Sequence, residues 1–257
     1  MDGSPGSGGG GGGSSAELMV AEARRAFFVM FAFLAVVWAV QLVNWLDGYR
    51  LDSEFGIVAH DPGRLGDLFT APLLHANWAH LEGNSGPLFI FGFLAAYRGV
   101  KRFLGLTLLI ALTSGGAVWF FEHGEVVTVG ASGLIFGYFG YVVLRGIFDR
   151  HLIDTLVGVV MAASFAYLLL VAVPGTPGVS WLGHLGGLVG GLVGAWVFRD
   201  RSRAAARSAT ARPATAATAA TRTPASAPVP APGRPAPPGS GNPRADLHKE
   251  LDDLGLL

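Results

Sequence analysis

Six apolar runs divide this chain, each bounded by polar residues or by clusters of glycine and proline. The first, Ala26 to Trp45, makes a helix about 30 Å long, enough to cross a bilayer core. A polar stretch from Asp47 to about Leu73 follows, in which Asp, Arg and Gly mix with Leu and Phe. It exceeds a simple connection and is expected to be partly structured at a membrane surface. The remaining runs are His80 to Ala96, Leu104 to Phe121, Ser132 to Phe148, Leu152 to Val173 and Trp181 to Phe198. Helix is the expectation for all six, because an open strand leaves backbone groups unsatisfied in lipid. The predicted fold class is therefore an all-α membrane protein, with a six-helix domain over residues 24–200. Two flanking segments are expected to be disordered: a Gly/Ser-rich leader over residues 1–23, and a tail rich in Ala, Pro, Thr and Arg over residues 201–257. Within that tail Leu247, Leu251 and Leu254 recur at helical spacing, the pattern of a short terminal amphipathic helix.

Charge sharpens this picture. Only 14% of residues are charged, against about 25% in soluble domains, and the deficit lies in the middle of the chain. Arg and Lys gather before the first run, between the second and third, between the fourth and fifth, and after the sixth. The positive-inside rule then puts both termini in the cytoplasm and Ser132 near the opposite face. Net charge is zero, so no nucleic-acid partner is implied, and the absence of cysteine removes disulfides, thiolate nucleophiles and cysteine metal sites together. Arginine-, alanine- and glycine-rich composition fits a high-GC bacterium and hence a bacterial plasma membrane. Nothing in the sequence specifies an oligomeric state.

The candidate chemistry lies in three places. Val129-Gly130-Ala131-Ser132-Gly133 is a glycine-rich turn opening directly into an apolar helix. A serine there has its N–H among the free donors of a helix N-terminus, a setting that favours developing negative charge and suits a nucleophile if a base can reach it. The sixth run, Trp181-Leu182-Gly183-His184, carries one histidine in an otherwise apolar span, and an ionisable group inside a membrane helix is costly and usually functional. His184 stands at a depth similar to Ser132. Glycines repeat every four residues at 183, 187 and 191, and again at 186, 190 and 194. Such rows admit a close backbone neighbour, and Gly133, Gly137 and Gly140 give the fourth helix a matching thin surface, so that Ser132 and His184 are expected to meet. The third place is His75-Ala76-Asn77-Trp78-Ala79-His80-Leu81-Glu82-Gly83-Asn84. His80 and Asn84 share a helix face and both carry side-chain N–H donors for an oxyanion. His75 lies off that face and is expected to hold the loop; Glu82 points away from it. The histidine spacing is not the His-Glu-x-x-His of zinc proteases and no acidic third ligand is evident, so neither metal nor other cofactor is expected.

Taken together, His75, His80-x-x-x-Asn84, Gly130-x-Ser132-Gly133 and Gly183-His184 on six helices resemble the rhomboid intramembrane serine proteases, over roughly Ala26 to Phe198. The resemblance implies a Ser–His dyad that cuts transmembrane protein substrates near the membrane surface. Ser132 would be the nucleophile and His184 the general base and then acid. His80, Asn84 and the Ser132 N–H would form the oxyanion hole, with Gly187 and Gly191 packing the histidine helix. Two departures stand out. Many members carry Tyr four residues after the serine, where its ring packs on the histidine; here it is Phe136, which keeps a ring contact but no hydroxyl. The Trp-Arg pair common in their first outer loop is absent, although Trp45 and Arg50 are present separately. The alternative is a catalytically silent relative that binds membrane clients; such proteins usually lack the serine or the histidine. A small-solute transporter would explain polar residues at membrane depth, but not the Gly-Ala-Ser-Gly turn, and no internal repeat is seen.

Overall fold

A computed structural model describes residues 11–200, apart from residues 125, 168, 169, 171–173, 176 and 177. The long helices are α1 (Gly11–Leu46), α4 (Trp78–Ala96), α5 (Val100–Phe121), α6 (Ser132–Asp149), α7 (Leu152–Ser164) and α8 (Trp181–Val197). Between α1 and α4 lie two short helices, α2 (Arg50–Phe55) and α3 (Asp67–Thr70), and a strand β1 (Ile57–Val58). Its partner β2 (Val127–Thr128) immediately precedes the serine turn. The fold is all-α apart from this two-stranded antiparallel ribbon, whose register pairs Ile57 with Thr128 and Val58 with Val127.

The helices start and stop where local chemistry dictates. Asn77 caps α4, its side-chain oxygen accepting from the His80 N–H at 2.8 Å, and Ser180 caps α8 by accepting from the Gly183 N–H at 3.3 Å. Two boundaries differ from expectation. Helix α1 begins at Gly11, so residues 11–23 are helical rather than part of a disordered leader. Past the glycines, Ala16 to Ala23 is rich in Ala, Glu, Leu and Met, all strong helix formers, which outweighs the preceding composition. The fifth apolar run is not one continuous helix: α7 ends at Ser164, and Phe165 adopts φ −117°, ψ 20°. Apolar composition marks a segment's solvent, not the continuity of its hydrogen bonding. Among the described residues, α1 over Ala16–Leu46 and α5 over Val100–Phe121 are long and apolar enough to cross a membrane. The expected tail helix lies outside the described residues.

Helix α8 is the wedge of the bundle, seated between α5 and α6. Gly187 and Gly191 face α6, whereas Gly186, Gly190 and Gly194, and also Gly183, face α5. A Cβ on Gly187 would stand 2.1 Å from the Gly133 carbonyl oxygen of α6, and one on Gly191 would stand 1.9 Å from that of Gly137. On the other row, a Cβ on Gly190 would meet Thr113 Oγ1 of α5 at 2.0 Å, and one on Gly186 the Thr113 carbonyl at 2.5 Å. Both contacts are backbone against backbone or nearly so, which only glycine allows. Helix α4 packs on α6 and α1, and α7 on α6. At the end of α6 remote from Ser132, Arg98 and Arg145 both donate to the Asp154 carboxylate, Arg145 Nη2 at 2.9 Å, and Arg145 Nη1 reaches the Leu94 carbonyl at 3.2 Å. This buried cluster ties α4, α6 and α7 together.

The polar stretch after α1 is folded, as expected. Arg64 donates to Asp67 at 2.6 Å and to the Gly56 carbonyl at 2.9 Å. The Trp119 indole N–H donates to the Asp61 carbonyl at 3.1 Å, holding the loop on the end of α5. Trp78 packs against Trp38 and Trp45, with ring centroids 5.9 and 6.2 Å apart.

Candidate active site

The serine turn is fixed from outside its own helix. The Gly130 N–H donates to the Ala71 carbonyl at 2.9 Å, and the Ala131 N–H donates to His75 Nε2 at 3.4 Å. Gly130 sits at φ +124°, where a side chain is strained, and a Cβ there would lie 2.7 Å from His80 Cε1. The glycine therefore both makes the turn and lets the His80 ring lie against it. His75 is fully buried in the loop before α4, its ring edge-on to His80 at 5.0 Å. Burial, and secondarily the neighbouring His80, hold its pKa down at about 3. A neutral His75, with Nε2 accepting from the Ala131 N–H, links the loop before α4 to the turn.

Ser132 is the first residue of α6, so its N–H lacks an intrahelical acceptor. Ala131, at the cap position, has no side-chain acceptor to occupy those donors. His184 is only 4% exposed. The Phe136 ring stacks on it, centroids 4.2 Å apart and planes 15° from parallel. The ring contact expected of Phe136 is thus in place, without a hydroxyl to bond the imidazole.

Ser132, His184, His80 and Asn84 all line one cavity of about 600 Å³ between α4, α5, α6 and α8. Ser132, His184, Asn84 and Phe136 also line a smaller one of about 120 Å³, together with Gly83 and Pro87 of α4. Asn84 Nδ2 is buried and has no hydrogen-bond partner. A buried donor left without an acceptor costs roughly 1–3 kcal/mol. Glu82 is exposed and takes no part. Among the described residues no group of three or more His, Cys, Asp or Glu could hold a metal.

Three cavity residues were not singled out from sequence. Ser114 of α5 donates to the Gly183 carbonyl at 2.8 Å, beside His184. Ser180 donates to Glu122 Oε2 at 3.1 Å, and its own carbonyl accepts from the His184 N–H at 3.3 Å. These bonds fix the first turn of α8 from both α5 and the loop after it. Ser180 was legible as a helix cap one residue before an apolar run; Ser114 and Glu122 carry no local signal.

A Rhomboid domain matches residues 62–201. An uncharacterized protein of Mycobacterium tuberculosis is 37% identical over 190 residues, covering 70% of this chain and 79% of that protein. An uncharacterized protein of Mycobacterium leprae is 33% identical over 192 residues, covering 70% and 76%. A Bacillus subtilis protein named "Putative rhomboid protease YdcA" is 30% identical over 177 residues, covering 63% and 82%. The chain belongs to the rhomboid family of membrane-embedded proteins, as its motifs indicated.

Proposed function

We propose that this protein is an intramembrane serine endopeptidase of the rhomboid type, cutting transmembrane protein substrates with a Ser132–His184 dyad. The observation that carries the reading is that Ser132, His184, His80 and Asn84, drawn from three different helices, line one cavity. Neutral His184 takes the proton of the Ser132 hydroxyl as the oxygen attacks the scissile carbonyl carbon. The oxyanion receives hydrogen bonds from Asn84, His80 and the Ser132 N–H. The C–N bond breaks as His184 returns the proton to the leaving amine. Water, deprotonated by His184, then cleaves the acyl-serine ester and restores both residues. The Phe136 ring stacks on His184 and holds the plane of the imidazole, and the reading is of a dyad. Six helices, α1 and α4 to α8, cross the membrane, α7 and α8 being short for a span at 13 and 17 residues. Both termini are cytoplasmic and Ser132 faces the outside of a bacterial plasma membrane. The Trp38, Trp45 and Trp78 cluster belongs at the outer interface, where aromatic belts lie, and stands in for the missing Trp-Arg pair.

The test is cleavage of a fluorogenic transmembrane substrate by the purified protein in liposomes, beside Ser132→Ala and His184→Ala. Cleavage by the wild type alone supports the dyad. Equal cleavage by all three removes it, and no cleavage of any of several substrates favours a client-binding role.

A further inference from the structure

Among the described residues, the large cavity holds one acidic side chain, Glu122, that the chemistry above does not use. Glu122 ends α5, where its backbone turns extended at φ −70°, ψ 144° and its N–H closes the helix on the Val118 carbonyl at 2.9 Å. An anion at a helix C-terminus faces the negative end of the dipole, so this is not a place chosen for α5. One carboxylate oxygen, Oε2, is accounted for by the Ser180 hydroxyl. Among the described residues, Oε1 has no partner, and Glu122 lines the same cavity as Ser132 and His184. Among the described residues, the other ionisable groups on that wall are His80 and His184, and no Lys or Arg lines it. The rest of the described lining mixes apolar side chains, Ile57, Leu68, Val118 and Val127 among them, with uncharged polar ones, Asn84, Thr128 and three serines. A carboxylate oxygen with no described counter-ion, in a recess screened from bulk water, favours a cation over a neutral group and repels an anion.

We propose that Glu122 sets the specificity of this cavity, which takes a membrane-spanning substrate bearing a Lys or Arg beside the cut, with the cation against Glu122 Oε1. This rests on the protease reading for what happens next, but not for the recognition itself. Ser180 presents the carboxylate by binding its other oxygen, so the same hydroxyl couples the specificity group to the turn that carries His184.

The experiment uses the full chain in liposomes. A set of transmembrane substrates differs at a single residue, Lys, Gln or Glu, placed in turn at each position flanking the cut on the outer side. The wild type is expected to favour Lys over Glu at one such position by about tenfold in kcat/KM, the size of a partly screened charge pair. Glu122→Gln collapses that ratio to near unity, and Glu122→Lys inverts it. Binding of the same substrates to the Ser132→Ala protein, read by fluorescence transfer, follows the same order. A ratio unchanged in Glu122→Gln, or uniform slowing of all three substrates without inversion by Glu122→Lys, overturns the proposal and leaves Glu122 a structural partner of Ser180. If nothing is cleaved yet binding to Ser132→Ala depends on charge in this way, the protease reading fails and the recognition stands.

Discussion

Replacing Gly187 by alanine tests the packing that brings Ser132 and His184 together. The new Cβ would lie 2.1 Å from the Gly133 oxygen and 2.9 Å from its carbonyl carbon. Ordinary contact begins near 3.4 Å, so α6 and α8 must part locally by about 1.3 Å. Neither side can yield by rotating, because both are backbone. The cost should fall toward the upper part of the 1–3 kcal/mol range for overpacking, about 2–3 kcal/mol. Gly191→Ala meets the Gly137 oxygen at 1.9 Å and should cost as much. The two variants then separate on activity. Gly187 is one turn from His184, and Gly133 adjoins Ser132, so parting the helices there shifts the dyad itself. A displacement near 1 Å costs roughly a hundredfold in rate. Gly191 lies a further turn along and should lose less. Gly116→Ala is the control: no atom lies within 4 Å of its Cβ. Equilibrium unfolding in mixed micelles, followed by circular dichroism, measures stability, and liposome cleavage measures rate. Gly187→Ala unfolding within about 0.5 kcal/mol of Gly116→Ala, the scatter of neutral surface changes, would refute the reasoning.

Other predictions follow from single features. His75 has its pKa lowered to about 3, while in the unfolded chain it titrates near 6.5; the unfolded state therefore binds more protons between these values, and stability that is full above about pH 6.5 is lost as pH falls toward 3. His75→Gln should remove that part of the slope in unfolding measured at pH 7, 5 and 4. Asn84→Ala removes a donor that has no partner at rest, so kcat should fall about a hundredfold or more while unfolding free energy stays level or rises by about 1 kcal/mol. Arg145→Ala removes a partner of Asp154 and the bond to Leu94 at the far end of the bundle; it should cost about 3 kcal/mol, read by unfolding, with Asp154 still paired to Arg98.

Much of this fold could be read from the sequence because membrane helices advertise themselves. Ser132 opens α6 where the Gly-Ala-Ser-Gly turn placed it, and the Gly187 and Gly191 row meets α6 as the spacing implied. What stayed hidden has non-local causes. Which α8 glycines face α6 (Gly187, Gly191) and which face α5 (Gly183, Gly186, Gly190, Gly194) depends on the flanking helices, which no local period encodes. The ribbon of Ile57–Val58 with Val127–Thr128 joins segments far apart in sequence, and two-residue strands have no readable alternation. Glu122 and Ser114 matter through partners on another helix, Ser180 and Gly183. The end of α7 at Ser164 falls inside an unbroken apolar run, with neither glycine nor proline to announce it.

The wedge position of α8 also orders events in time. Ser132 is made and inserted well before His184, and the two glycine rows of α8 give it a seat only once α5 and α6 already stand side by side. On the proposed protease reading, a chain still leaving the ribosome would hold the Ser132 hydroxyl without its base. Cleavage would then begin only once the last described helix is seated, which would spare the neighbours of an unfinished copy.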